Sequence, residues 1–222
     1  PEAKRKTLAN SFVDVLADLH SLDADVVGLS DLGKRDSYVG RQLKTWYKSW
    51  TSSIEGANFD DPRALELQQF FLENLPEQEK ARVVHGDYGL HNCLTGPDST
   101  VAAVVDWEIS TLGDPLADLA YALNFFPDPS DTIPISPEAA TSVPGFPTRT
   151  EMAARYGART KRDLSNLGYY TGFNRWKSAC IVHGLYARYM EGNKSSEGVD
   201  LELLRSRIDS SLALAEEAVN LL

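Results

Sequence analysis

The chain has 222 residues, of which 42% are hydrophobic and 24% charged, a composition that excludes an extended disordered polypeptide and allows one domain with a substantial core. Its formal net charge of −10 argues against binding along a nucleic-acid backbone, which needs a positive face, whereas an acidic cleft suits a metal ion or a cationic substrate. Two cysteines are too few for a disulfide framework, no apolar run is long enough to cross a membrane, and the first residues lack the apolar stretch of a signal peptide. We therefore expect a cytoplasmic protein without a nucleic-acid or membrane partner.

Helical periodicity dominates the first part of the chain. Apolar residues at three- and four-residue steps predict a helix over 8–22. A loop over 31–40 and a helix over 41–51 follow, and Pro62 begins a third helix that ends near Leu75.

Short β-prone runs come next, at 82–85, 93–95 and 101–106. The turn residues Gly96-Pro97-Asp98 separate the last two runs, so we predict a hairpin there. A small central β element within a helical protein is the expected result.

The remainder of the chain returns to helical patterns. A helix over 115–125 precedes a proline-rich loop over 127–147, and further helices start at Glu151 and cover 163–190 and 200–222. The predicted fold class is α+β, mainly α, in one domain over 1–222. Its expected parts are a helical part (1–80), a central segment (81–115) and a second helical part (116–222).

The densest group of reactive side chains is HGDYGLHN at residues 85–92, which we call the HGD loop, followed by VVDWE at 104–108. Asp87 and Asn92 lie at either end of a tight loop and Asp106 ends the return strand, so the three side chains can converge. Their oxygens suit Mg²⁺, which takes one or two carboxylates plus substrate phosphates. Phosphoryl transfer needs such a metal together with a base that orients a hydroxyl group.

The order and spacing are similar to the protein-kinase pattern H-R-D followed by Asn and D-F-G, with Gly86 in place of Arg and Asp106-Trp107-Glu108 in place of D-F-G. Together with GDPLADLA at 113–120, these segments resemble the aminoglycoside phosphotransferase family, which includes choline kinases. The LADLHSLD and YYTGFNRWKSA segments are also similar to that family. The resemblance implies the C-terminal lobe of a protein-kinase-like fold. It also implies ATP as phosphoryl donor, Mg²⁺ as cofactor and a small molecule with a hydroxyl group as acceptor.

The resemblance further implies roles for single residues. Asp87 would be the catalytic base, Asn92 and Asp106 would bind magnesium, and His85, Asp114 and Asp118 would support the HGD loop.

Simpler interpretations compete with these roles. An Asx-capped turn explains His-Gly-Asp alone, but the ordered motifs that follow favour a site. A zinc site at His85, His91 and Cys93 is the second alternative, although Cys93 is better explained as a small hydrophobe of the hairpin. His183, among apolar neighbours, is expected to be a core histidine.

Several residues are candidates for substrate contact: Tyr88, Glu108, Trp176, Arg41, Lys44 and Lys48. Trp176 belongs to an aromatic group at helical spacing, for which core packing competes with pocket lining. Arg41, Lys44 and Lys48 share one helical face, either a solvated face or an anion-binding stripe. Residues 38–50, YVGRQLKTWYKSW, resemble the branch of the family associated with acyl-CoA dehydrogenases. That resemblance implies a hydroxyacyl or acyl-CoA acceptor, as an alternative to an aminoglycoside.

No G-x-G-x-x-G follows a strand and no V-A-I-K-like strand is present. We therefore expect a catalytic lobe without its N-terminal nucleotide-binding lobe, inactive by itself and able to self-associate through the face left uncovered. The other hypotheses are a catalytically silent kinase-like binding or regulatory module and a metal-dependent hydrolase.

Overall fold

The computed structural model describes residues 1–131, 140–193 and 195–220. Its helices are α1 (Glu2–Ser21), α2 (Tyr38–Ala57), α3 (Arg63–Glu73), α4 (Pro115–Leu123), α5 (Arg149–Thr160), α6 (Leu167–Met190) and α7 (Leu201–Asn220). Its strands are β1 (Arg82–Val84), β2 (Cys93–Thr95), β3 (Val101–Val104) and β4 (Thr111–Gly113). The predicted α+β, mainly α class is confirmed.

The β element differs from the prediction in one respect. The hairpin is present as an antiparallel β2–β3 pair with Cys93 opposite Val104. The first strand does not join it, because β1 pairs antiparallel with β4, and Val83 lies opposite Leu112. The prediction missed β4, whose three residues carry no alternating pattern of their own.

One helix prediction also needs correction. Helix α2 begins at Tyr38 and extends to Ala57, so it takes in the end of the loop predicted over 31–40. Of the proline-rich loop predicted over 127–147, residues 132–139 lie outside the described residues. None of the helices in the described part of the chain is long and apolar enough to cross a membrane.

The chain divides into two compact units. Unit 1 comprises Pro1–Tyr38 and Gln78–Leu167, and unit 2 comprises Val39–Glu77 and Gly168–Leu222. Each unit is therefore built from two segments that are distant in sequence. In unit 1 the N-terminal helix lies with the HGD loop.

The core of unit 1 forms around α1 and α4. Phe12 of α1 is fully buried, and its ring centroid lies 4.6 Å from that of Tyr88 and 5.7 Å from that of Phe126. In α4, Asp114 caps the first turn and Pro115 occupies the first helical position, where its missing N–H is not needed. This packing places polar side chains of α1 and α4 beside the HGD loop.

The core of unit 2 contains the aromatic group of α6. The indole N–H of Trp176 donates to the carbonyl oxygen of Ala64 at 2.9 Å, and the side chain is fully buried. Trp176 is thus a core residue, which corrects its candidacy for substrate contact.

His183 is likewise a core residue, as predicted. Its ring stacks on Trp50 at 3.9 Å and its Nε2 lies 3.0 Å from the carbonyl oxygen of Phe59. Burial lowers the pKa of His183, so the neutral ring is favoured.

Candidate active site

Asp118 of α4 fixes the backbone at the start of the HGD loop. Its Oδ2 accepts the backbone N–H of His85 at 2.8 Å, and its Oδ1 accepts the backbone N–H of Gly86 at 2.9 Å. Gly86 has φ of +85°, a conformation that glycine adopts without steric penalty. One buried carboxylate therefore determines the course of the chain immediately before Asp87.

His20 of α1 completes this buried network. Its Nε2 lies 3.2 Å from Oδ2 of Asp118, and its Nδ1 lies 2.7 Å from the hydroxyl oxygen of Tyr156 on α5. The sequence predictions did not include His20, although it lies within the LADLHSLD segment. The network joins three helices of unit 1 to the HGD loop.

The charge of Asp118 is retained in spite of its burial. Burial alone would raise the pKa of Asp118, but hydrogen bonding and charge interaction with His20, together with the two backbone N–H groups, outweigh it. The pKa therefore lies below its ordinary value, and the group is a carboxylate at neutral pH.

His85 connects the HGD loop to the segment that carries Asp106. Its Nε2 donates to the carbonyl oxygen of Val105 at 2.9 Å, because a carbonyl can only accept. In the neutral ring Nδ1 is then an acceptor, and the backbone N–H of Asp87 lies 3.3 Å away. These contacts tie the HGD loop to the segment before Asp106, and the bracing role of His85 stays a prediction.

Asp87 is held at both carboxylate oxygens. Oδ1 accepts the hydroxyl of Tyr121, and Oδ2 accepts the side-chain N–H of Asn92 at 3.1 Å. The same Asn92 nitrogen donates to the backbone oxygen of Asp87 at 2.9 Å, and Nε2 of His91 lies 3.5 Å from Oδ2. Burial, followed by the contact with Asp87, raises the pKa of Tyr121, so Tyr121 is a neutral donor.

A backbone hydrogen bond joins the segments that carry Asn92 and Asp106. The backbone oxygen of Asn92 accepts the N–H of Val105 at 2.9 Å, one residue before Asp106. Because Nδ2 of Asn92 is committed to Asp87, Oδ1 is the atom that can bind a cation. Asp106 is exposed and has φ of +67°, a left-handed conformation that aspartate tolerates.

This donor set fits Mg²⁺. Among the described residues, no group of three or more His, Cys, Asp or Glu is arranged to hold a metal ion. A cation at Asn92 and Asp106 would therefore have few protein ligands. Magnesium accepts such a set, because water and substrate phosphates complete its shell.

The zinc alternative finds no support in this geometry. His85 uses one ring nitrogen on a carbonyl and the other faces a backbone N–H. Burial raises the pKa of the Cys93 thiol to about 11, whereas zinc binds the thiolate.

The remaining candidate residues of unit 1 differ in their exposure to solvent. Oδ1 of Asp114 accepts the backbone N–H of Leu116 at 3.0 Å, so Asp114 caps the start of α4, and its supporting role at the site stays a prediction. Glu108 is exposed in the short 3-10 turn Trp107–Ile109. Tyr88 is fully buried and its hydroxyl donates to the carbonyl oxygen of Phe12 at 2.9 Å, which corrects its candidacy for substrate contact.

The cationic stripe belongs to unit 2. Lys44 and Lys48 of α2 are exposed and Arg41 is half-buried, as the helical spacing implies. Their role in binding a substrate stays a prediction.

The sequence model of the phosphotransferase enzyme family, abbreviated APH, matches residues 1–155. The chain belongs to this family. The resemblance inferred from its motifs is confirmed.

A rat protein named acyl-CoA dehydrogenase family member 11 is 36% identical to this phosphotransferase-family chain over 201 residues, 88% of the chain and 25% of that protein. The human protein of the same name is 33% identical over 200 residues, again 88% of the chain and 25% of that protein. The chain thus spans about a quarter of the length of these relatives.

Solved structures agree with the family assignment. A Ralstonia eutropha protein assigned as an aminoglycoside phosphotransferase superposes with a TM-score of 0.83 at 26% identity, over 97% of this chain and 67% of that one. Spectinomycin phosphotransferase, solved with ADP and spectinomycin, has a TM-score of 0.56 at 13% identity over 98% and 68% of the two chains. Choline kinase from Cryptosporidium parvum has a TM-score of 0.55 at 14% identity over 98% and 68%. The last two show the fold alone, and it is the kinase-like fold predicted from the motifs.

Proposed function

We propose that this chain carries the catalytic lobe of an ATP- and Mg²⁺-dependent phosphotransferase that phosphorylates a hydroxyl group of a small molecule. The observation that carries the proposal is the Asp87 carboxylate, held at both oxygens at the tip of the HGD loop. Membership of the phosphotransferase family and the ADP bound by one structural neighbour support it.

In the proposed reaction Asp87 would act as the base. A carboxylate offers about four acceptor sites, of which Tyr121, Asn92 and His91 approach three. The remaining site can accept the proton of an acceptor hydroxyl and orient its oxygen for attack. Asn92 and Asp106 would hold Mg²⁺, which when bound neutralises charge on the transferred phosphoryl group.

The acceptor is either aminoglycoside-like or a hydroxyacyl or acyl-CoA-like molecule. Similarity to acyl-CoA dehydrogenase family members supports the second class. The exposed Lys44 and Lys48 would attract the phosphates of a CoA ester. The acidic net charge would instead suit a cationic aminoglycoside.

The test uses the full-length gene product with radiolabelled Mg·ATP and two acceptor panels, hydroxyacyl-CoA esters and aminoglycosides. We expect phosphate transfer to one panel and a loss of at least about 100-fold in Asp87→Asn. The matched control is Asp98→Asn, the same change in the exposed hairpin turn, which should leave the rate unchanged.

Transfer that survives in Asp87→Asn would contradict the proposal. Absence of both Mg·ATP binding and transfer would favour the catalytically silent module instead.

A further inference from the structure

We propose that Tyr121 is a positioning residue for phosphoryl transfer, which locks the Asp87 carboxylate in the orientation that an acceptor hydroxyl meets. The inference rests on the proposed function and deepens it. Tyr121 acts through Asp87 and is not itself the base.

Helix α4 contacts three successive residues of the HGD loop. Asp118 and Tyr121 are three residues apart and so lie on one face of the helix. Asp118 binds the backbone N–H groups of His85 and Gly86, and Tyr121 binds the side chain of Asp87. Backbone and carboxylate are therefore set by the same helical turn.

The restraint from α4 complements one from the other end of the loop. The terminal torsion of an aspartate side chain is soft, so a carboxylate held at one oxygen can rotate. Asn92 holds Oδ2 and Tyr121 holds Oδ1, and rotation in either direction breaks one of the two bonds. Both donors are needed to fix the carboxylate plane.

The position of the Tyr121 hydroxyl is itself fixed by packing. All residues of α4 are described; the others are buried, and the Tyr121 side chain is half-buried among them. Its ring packs edge-on against Phe125 at 5.4 Å. Because burial raises the pKa of Tyr121, the hydroxyl keeps its proton and donates throughout the neutral range.

The primary test is Tyr121→Phe in the full-length protein, assayed with the best acceptor of the two panels. If the enzyme phosphorylates no member of either panel, the assay is ATP hydrolysis, with water as the acceptor. Phenylalanine retains the ring and removes only the donor. We expect kcat to fall about 10- to 100-fold, because small misplacement of a reacting group has effects of that size. The KM for Mg·ATP should stay within about twofold, since Tyr121 is not expected to contact nucleotide.

The matched control is Tyr169→Phe, which removes a buried hydroxyl that donates to the carbonyl oxygen of Phe71 at 2.6 Å in unit 2. It should lower the thermal unfolding midpoint and leave kcat unchanged. An equal loss of kcat in both variants would overturn the role assigned to Tyr121.

A double-mutant cycle distinguishes positioning from a merely structural role. In the Asp87→Asn background, Tyr121→Phe should cause no further loss of transfer, because its effect passes through Asp87. The unfolding midpoints should likewise be non-additive, which provides a readout independent of activity. Rates that fall by independent factors would overturn the inference.

The two proposals fail in different ways. If Asp87→Asn keeps the wild-type rate, both the proposed function and the positioning role of Tyr121 are contradicted. If Asp87→Asn is inactive and Tyr121→Phe keeps the wild-type kcat, only the role of Tyr121 is lost.

Discussion

Inside unit 1, Nε2 of His20 lies 3.2 Å from Oδ2 of Asp118, and both side chains are shielded from solvent. The contact joins α1 to α4, and the same carboxylate also accepts the backbone N–H groups of His85 and Gly86. A buried carboxylate with this many donors is a fixed point for the chain around it. The position of Asp87 therefore depends on a side chain far from it in sequence, His20.

Asp118→Asn should destabilise the protein strongly. The amide keeps the shape but loses the charge, and it presents an N–H group to donors, so His20 and a backbone amide lose their partner. Removing the charge of a buried carboxylate and leaving its buried donors unsatisfied costs about 3–5 kcal/mol in the free energy of unfolding, measurable by denaturant titration. The control is Asp18→Asn, whose ion pair with Arg159 is exposed and should contribute no more than about 1 kcal/mol. Similar losses in the two variants would contradict the buried network.

The contribution of Asp118 should depend on pH in a defined direction. Its pKa in the folded state lies below the ordinary value of 3.8, so its contribution is fully present above that value and disappears as pH falls through the folded pKa. The difference in unfolding free energy between wild type and Asp118→Asn should be constant from about pH 5 to 7 and shrink below about pH 4. Denaturant titrations across that range measure it, and a difference that grows on acidification would contradict the sign.

The helices follow from the sequence because their signal is local. The predicted helix over 200–222 corresponds to α7 at Leu201–Asn220, and apolar periodicity with little else determined it. Strand β4 could not be predicted in this way, because it is three residues long and is defined by its partner β1, from another part of the chain. Pairing between distant segments leaves no periodic trace in either of them.

The sequence predicted those residues of the candidate site that belong to a motif of defined spacing. Asp87 and Asn92 meet as that spacing implied, with 3.1 Å between Oδ2 and Nδ2. His20 and Tyr121 were missed because a histidine near a helix end and a tyrosine in an apolar helix have many explanations. The one available signal for Tyr121 was its position three residues after Asp118 in an otherwise apolar stretch.

Trp176→Phe should reduce stability without a specific effect on substrate binding. The change removes the indole donor to the carbonyl oxygen of Ala64 and leaves a cavity in the core of unit 2. We expect a loss of about 2–4 kcal/mol in unfolding free energy. The control is Trp46→Phe, a half-buried residue whose indole donates to Gln42 on its own helix, which should cost about 1 kcal/mol. A raised acceptor KM in Trp176→Phe, at unchanged stability, would restore the pocket interpretation.

Asp106→Asn should raise the Mg²⁺ requirement of the proposed reaction. The amide retains one oxygen but loses the charge that attracts the cation, so we expect the Mg²⁺ concentration for half-maximal transfer to rise by about tenfold or more. Because Asp106 is exposed, the thermal midpoint should change little. Asp98→Asn, the same change at an exposed position of the hairpin turn, is the matched control and should leave the Mg²⁺ requirement unchanged. Equal Mg²⁺ requirements in wild type and Asp106→Asn would remove Asp106 from the metal site.

Gly86→Ala separates backbone strain from damage to the site. Gly86 and Gly28 have similar positive φ angles, +85° and +77°, so alanine is strained at both and should cost about 1 kcal/mol of stability at each. A Cβ at Gly28 would meet no atom within 4 Å, whereas one at Gly86 would come within 3.2 Å of the Ile109 side chain and 3.3 Å of its backbone oxygen. The Ile109 side chain is exposed and can move, but relief of the contact with its backbone oxygen requires a shift of either the Ile109 backbone or the HGD loop next to Asp87. Gly86→Ala should therefore lower phosphate transfer by at least about tenfold, and Gly28→Ala should not.

Unfolding midpoints and transfer rates measured on both variants test this, and equal rates would show that the HGD loop tolerates displacement at Gly86.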